Sequence, residues 1–396
     1  TEVLHLLRDR AEFAFIVDNT NPICSLKTLD GANISNGAYS NKSSRYTASD
    51  KNFSKIFYRK NSGTWSSTTT TSFSVSGQNN NGFWEFYAVD KIGNKSSTSS
   101  FYFDNILPEG TIKDANDNTL QSGGVTNKPF KALFTDANLD TNNIYVKNPD
   151  SSTFAKYTNN SLINGVNGKY VFKATDKAGN TSAEISYTLD KINPTLKIYL
   201  DNVEVQSGLS LNGEAVKVAA FDEGGAGILE TYVKKPGSNV FEIYNANTTY
   251  TNEGKYEFYT KDKAGNESNK VNILIDRTPP ILNLFTDKDV TGDSYAAINK
   301  IKCSSLDNLS GIFKMFVKTS QDIDFVEYAD NTYVYTEGEV KFYGMDKAQN
   351  KSLVHSIILD ATPPVGNIYV DSEIYENQYV TKPFKYQAND STSGIK

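Results

Sequence analysis

Asp90, Asp176, Asp262 and Asp346 each open a short segment, reading DKIGN, DKAGN, DKAGN and DKAQN, at intervals of 86, 86 and 84 residues. Each segment closes on an amide, Asn94, Asn180, Asn266 or Asn350. Two more aspartates keep this period. One closes an apolar stretch ahead of a proline-containing joint, at Asp18 (VDNTNP), Asp104 (FDNILP), Asp190 (LDKINP), Asp276 (IDRTPP) and Asp360 (LDATPP). The other lies in a mid-period loop, at Asp50, Asp136, Asp222, Asp307 and Asp390, often before a Gly-Ile step such as Gly227-Ile228, Gly311-Ile312 or Gly394-Ile395. Carboxylate and amide oxygens are what a hard cation such as calcium takes, about six to eight at a time. The same letters also make turns, because Asp and Asn bond their own backbone and Gly supplies the left-handed conformation. Gln349 stands where the sister segments have Gly, a change that costs about 1 kcal/mol if the left-handed backbone is kept.

Other chemistry is sparse. His5 and His355 are the two histidines, and His355 takes a strand position filled by Ile185 and Val271 elsewhere. The sequence contains no nucleophile elbow, Gly-rich phosphate loop or Cys/His metal spacing, and no carboxylate pair is unique to one period. Features that recur at every period specify architecture, whereas a catalytic constellation occurs once, so no enzyme activity and no certain cofactor are expected. Asn94, Asn180, Asn266 and Asn350 each begin an N-x-S triplet; a turn Asn followed by a strand Ser accounts for those letters without a glycan. Lys91, Lys177, Lys263 and Lys347 follow the DKxGN aspartates and are candidates to neutralise them.

Composition narrows the class. Forty basic and 46 acidic residues are interspersed over 396 positions for a net charge of −6, which gives no basic stripe for nucleic acid. No apolar run is long enough to insert into a membrane. Cys24 and Cys303 fall at non-equivalent places in the period and offer no repeated intradomain bridge, which fits a bacterial surface protein better than a disulfide-bonded animal ectodomain. The 24 Tyr and 22 Phe, with Val, Ile and Thr, favour strands over helices.

The elements that position the aspartates are those strands. Apolar residues alternate with period two: Trp84, Phe86 and Ala88 share a face, as do Tyr170, Phe172 and Ala174, then Tyr256, Phe258 and Thr260, then Val340, Phe342 and Gly344. The following strand alternates as well, through Ile185, Tyr187 and Leu189 and through Val271, Ile273 and Ile275. About seven strands fit one period, as in an immunoglobulin-like sandwich. The expected units are 19–104, 105–190, 191–276 and 277–360. Residues 1–18 read as the last strand of a preceding unit and 361–396 as the start of a fifth, so the chain reads as a window on a longer array.

A penultimate strand of the form G-x-Y-x-F-x-A-x-D leading into x-A-G-N resembles the bacterial Ig-like tandem repeats of adhesins, surface-layer proteins and cell-wall-bound enzymes. The resemblance spans nearly the whole chain and implies an all-β fold of tandem immunoglobulin-like β-sandwich repeats of about 86 residues, head-to-tail. In such a sandwich the chain enters at the pole that carries the second-to-third and sixth-to-seventh strand loops, so the three aspartate markers should converge there. The candidate calcium sets at the joints are Asp18, Asp50, Asp90 and Asn94; Asp104, Asp136, Asp176 and Asn180; Asp190, Asp222, Asp262 and Asn266; and Asp276, Asp307, Asp346 and Asn350.

The expected function is that of a non-catalytic extracellular stalk or lattice segment whose partners are its own neighbouring repeats and other copies of the surface protein. Short joints such as Thr278-Pro279-Pro280 and Thr362-Pro363-Pro364 favour a semi-rigid rod. Two alternatives stay open. One is an adhesive module for host glycan or protein, using loops such as 66–71 and 293–299 and exposed Tyr; the other is a spacer array of a secreted cell-wall-associated enzyme.

Overall fold

The computed structural model describes residues 2–8, 11–286, 289–290, 295–296, 300–375, 379 and 381–391. It divides into two compact units, one holding residues 1–192 with 263–265 and the other holding the rest.

In the first unit the alternating stretches of 19–104 form two sheets. Strands Ile23–Thr28, Ser44–Ser49 and Ser72–Val75 pair antiparallel as a three-stranded sheet. The second sheet runs Ala38–Ser40, Ser99–Phe103, Gly82–Asp90, Phe53–Lys60, Ser66–Thr68. The first strand thus splits. Its early part joins the small sheet, and its later part pairs in parallel with the last strand, Ala38 to Phe101. That switch of sheets, with the penultimate strand at the centre, is the immunoglobulin-like arrangement. It is repeated with the five-stranded orders 125–126, 185–189, 168–176, 139–147, 155–156 in residues 105–190; 210–211, 271–275, 254–262, 228–234, 242–243 in 191–276; and 295–296, 355–359, 338–346, 312–318, 326–328 in 277–360.

The penultimate strand carries the core. Phe86, Phe172, Phe258 and Phe342 are fully buried, and so are the small residues Ala88, Ala174 and Thr260 two positions on. Smallness there is enforced by the opposite sheet: a Cβ on Gly344 would meet Ser305 Oγ at 2.8 Å and Leu282 Cδ2 at 3.3 Å. Trp84 and Tyr170, which lie early in this strand, tie it to the preceding loop by donating to the carbonyls four residues back, Asn80 and Val166, at 2.8 and 2.9 Å. An indole therefore does in one repeat what a phenol does in the next, a bond of tyrosine-corner type that Val340 cannot make. Four apolar clusters result, centred on Phe86, Phe172, Phe258 and Phe342, each drawn from one 84–86-residue period.

One segment differs from the sequence reading. Residues 2–8 and 11–17 form an antiparallel hairpin, Glu2 opposite Val17 through Arg8 opposite Ala11, so the segment read as one last strand holds two. Apolar residues dominate both stretches, Val3 to Leu7 and Phe13 to Val17, so composition alone does not separate two strands from one. Residues 365–370, 373–375 and 385–389 form a three-stranded sheet; Gly394-Ile395 and most of the 293–299 loop lie outside the described residues.

Candidate functional site

Each Gly82–Asp90-type strand ends on an Asp whose carboxylate turns back over its own loop. Asp176 Oδ1 accepts the Asn180 backbone N–H at 2.8 Å, and Oδ2 accepts the Asn180 side-chain amide at 2.7 Å. Asp90 with Asn94 and Asp346 with Asn350 repeat both bonds. The DKxGN segment closes this loop through a left-handed residue, Gly93 at φ 102° and Gly179 at 91°, and Gln349 adopts the same region at 74°.

In the first unit the joint between 19–104 and 105–190 is built on Asp104, which is almost fully buried. Its Oδ1 accepts the Ile106 N–H and caps its own turn, while Oδ2 accepts the Asn138 side-chain amide at 2.7 Å. Its backbone carbonyl accepts the second amide hydrogen of Asn180 at 2.9 Å, from 76 residues along the chain. Asp136 Oδ1 accepts the Asn138 N–H at 2.7 Å. Oxygens of Asp104, Asp136 and Asp176 lie within 4.8 Å of one another. Burial, and then the charges of Asp104 and Asp176, push the Asp136 carboxyl above its ordinary value.

The other sets follow this pattern. Asn94 bonds the Asp18 carbonyl and Asn52 the Asp18 carboxylate, and Asp18, Asp50 and Asp90 cluster within the same limit. Burial raises the Asp90 carboxyl, but donors from Asn94, Gly93 and Ile92 outweigh it and leave it below the usual range. In the second unit Asn350 bonds the Asp276 carbonyl at 2.9 Å, and Asp276 Oδ2 accepts the Ser310 N–H at 3.0 Å. Asp276, Asp307 and Asp346 cluster there. Burial, helped by the other two charges, outweighs the Asn350 hydrogen bonds and leaves the Asp346 carboxyl raised. Of the remaining set, Asp190 follows the last strand of the first unit and caps Ile192, while in the second unit Asp222 accepts the Gly227 N–H and Asp262 holds Asn266 as Asp176 holds Asn180.

The chemistry available is oxygen donation. The Asn side-chain nitrogens are spent as donors, which leaves only their oxygens for an ion and makes Asn180, Asn266 and Asn350, all buried, poor glycan acceptors. The N-x-S serines hold the hairpin together, Ser96 and Ser182 accepting the N–H of Ala88 and Ala174 across it. Among the described residues no ion pair joins Lys91, Lys177 or Lys347 to these aspartates. The Lys177 ammonium lies instead 5.6 Å from the Tyr39 ring centroid, so the neutralisation expected from these lysines is not made. Asn52 and Asn138 are partners the sequence reading missed, although a D-x-N spaced by 86 residues, Asp50 to Asn52 and Asp136 to Asn138, signals them. His355 opens a strand opposite Phe342, half-buried and apart from the clusters. Cys24 and Cys303 are free thiols, the latter pushed up to about 12 by burial.

No family model matches the chain, and no curated protein matches it. Among solved structures it is similar to the fibronectin(III)-like modules of Clostridium thermocellum CbhA, at 15% identity over 42% of this chain and 93% of that one, TM-score 0.22. It is also similar to a four-Ig-domain fragment of Dscam1 isoform 6.44, at 11% identity over 87% and 100%, TM-score 0.23. A third is the S-layer protein rSbsC(31-844), at 12% identity over 92% and 63%, TM-score 0.19. Similarity at this level brings neither a family nor a function to the chain.

Proposed function

We propose that this chain is a non-catalytic stalk or lattice segment of a bacterial cell-surface or surface-layer protein, working outside the cell to give reach and spacing. The observation that supports it is the joint. In each unit the last residue of one repeat, Asp104 or Asp276, is held at both its carbonyl and its carboxylate by two loops of the next repeat. Tension along the chain would meet those bonds before any core strand is disturbed. A device repeated at the sequence period transmits position and force; it does not select a substrate.

Small-angle scattering tests the reading. Strands of about nine residues at about 3.3 Å each make a repeat roughly 30 Å long, so four repeats as a stalk reach beyond about 100 Å. A radius of gyration near ~21 Å, the value expected of about 400 residues folded as one globule, would sink it.

Calcium at the carboxylate clusters is the companion proposal. Its support is the donor set: three carboxylates per joint within 4.8 Å, without a paired lysine among the described residues in the sets of Asp18, Asp104 and Asp276. The aspartates of each set would hold the ion, which would remove the mutual repulsion and stiffen the joint.

A further inference from the structure

The repeats share their buried faces but differ on the outer face of the five-stranded sheet, and residues 19–104 carry a feature there that the others lack. Outward positions on adjacent strands bring Tyr39, Tyr102 and Phe83 into one row, with ring centroids 4.5 and 4.6 Å apart in succession. Phe57, Tyr87 and Trp65 form a second row at 4.9 and 4.6 Å. Between the rows Arg59 bonds Glu85 with two hydrogen bonds, at 2.6 and 2.9 Å, and its guanidinium lies 4.6 Å from the Trp65 ring centroid. The Lys95 ammonium sits 3.8 Å from the Tyr87 ring centroid.

The second row is part of the architecture, since Tyr232, Tyr259 and Phe241, and Phe316, Tyr343 and Phe325, repeat it. The first row is singular. Phe83 is matched by Lys169, Lys255 and Glu339, and Tyr102 by Thr188, Leu274 and Ile358. Together the rows lie on four adjacent strands, 38–40, 99–103, 82–90 and 53–60, three intervals of about 4.8 Å or about 14 Å in all, with Trp65 just ahead of 66–68. The rings are half-buried and Trp65 is exposed.

We propose that this face binds an acidic polysaccharide, the sugars packing along the outward parts of the stacked and tilted rings and their carboxylates meeting the basic groups between and beside the rows. Charge favours an anion: residues 19–104 hold nine Lys and Arg against five Asp and Glu, net +4, in a chain of net −6. Glu85, the carboxylate between the rows, is already engaged by Arg59. Shape favours a sugar over a protein, because the surface is a file of stacked and tilted rings broken by charged groups, without the aliphatic anchors and pockets of a protein interface core. The inference goes beyond the proposed stalk and takes up the adhesive alternative that the sequence leaves open, and its failure would leave the scattering test of the stalk untouched.

Native gel electrophoresis through polygalacturonate, with hydroxyethylcellulose as the neutral polymer, tests it on the full chain. Polygalacturonate should retard the chain and shift its tryptophan fluorescence. Trp65→Ala and Tyr102→Ala, each with an unchanged melting profile, should weaken the apparent affinity at least tenfold, while Tyr259→Ala should not. Absence of retardation, or equal retardation of the two variants and the parent, overturns the proposal. Equal retardation by the neutral polymer overturns the acidic class. Self-association in ultracentrifugation that both variants abolish, without polymer binding, assigns the face to a second copy of this chain instead.

Discussion

The side-chain amide of Asn180 spans two partners, the Asp176 carboxylate in its own loop and the Asp104 carbonyl at the end of the preceding repeat. One residue thereby closes a hairpin and fastens a joint. Asn180→Ala removes both bonds and leaves a buried carbonyl and a carboxylate oxygen unmet, a loss of about 1–3 kcal/mol. Differential scanning calorimetry should show one transition moved down while the transitions of residues 191–360 stay in place. An unshifted profile would mean the amide bonds are replaced by water at no cost.

Gln349 offers a change in the opposite direction. It holds φ 74° where its counterparts are glycines, and a side chain in that region costs about 1–2 kcal/mol. Gln349→Gly recovers this less the entropy that glycine adds to the unfolded chain, about 0.4–1 kcal/mol. The expected gain is therefore about 0.5–1 kcal/mol in the transition of residues 277–360. Gly93→Ala, where a Cβ would meet nothing within 4 Å, should lose a similar amount through backbone strain alone. Denaturant titration of both variants checks the pair.

The period-two pattern made the Trp84-Phe86-Ala88 face and its sisters legible because burial acts on every second residue of a strand. The convergence of Asp104, Asp136 and Asp176 was legible for a different reason: three markers in one register have to meet somewhere if the repeats are alike. What the sequence did not show depends on pairing between strands. Tyr39, Phe83 and Tyr102 sit in separate stretches, and only the register of 38–40 and 82–90 on 99–103 puts their rings in contact. The D-x-N repeat marks Asn138 as a recurring residue, but its bond to Asp104 depends on the loop geometry that carries it to the end of the preceding repeat.

Asp136 gives the joint a pH dependence with a definite sign. Its carboxyl is raised from 3.8, so the folded chain holds this proton more tightly than the unfolded one. The charge therefore destabilises the fold above the raised value, and this penalty disappears as pH falls toward 3.8 and below. Asp136→Asn keeps an oxygen for the Asn138 N–H and removes the charge. Its melting midpoint should exceed the parent's at about pH 7, with the difference closing near pH 3.8. Asp90, held below the usual range, predicts the reverse: Asp90→Asn should lower the midpoint at about pH 7, with the deficit shrinking as pH falls through the depressed value. A gain from Asp136→Asn that is independent of pH would point to packing and not charge.

Calcium reverses the first of these signs, and that reversal is the sharpest test of the clusters. Repulsion among Asp104, Asp136 and Asp176 is a cost while no cation is present and becomes an attraction to a divalent ion when one is. A site found only in the folded chain raises stability by RT ln(1 + [Ca]/Kd), about 2.7 kcal/mol when free calcium stands at about 100 times Kd. The parent should thus melt higher in millimolar calcium than in chelator. Asp136→Asn should melt higher than the parent in chelator and lower than it in calcium. Magnesium at equal concentration should do less, since it asks for a tighter octahedron of oxygens than three carboxylates already engaged in hydrogen bonds can supply. If the parent melts identically in calcium and in chelator at neutral pH, the carboxylates are turn and joint acceptors only, and the rise expected from Asp136→Asn in chelator should then appear unchanged in calcium.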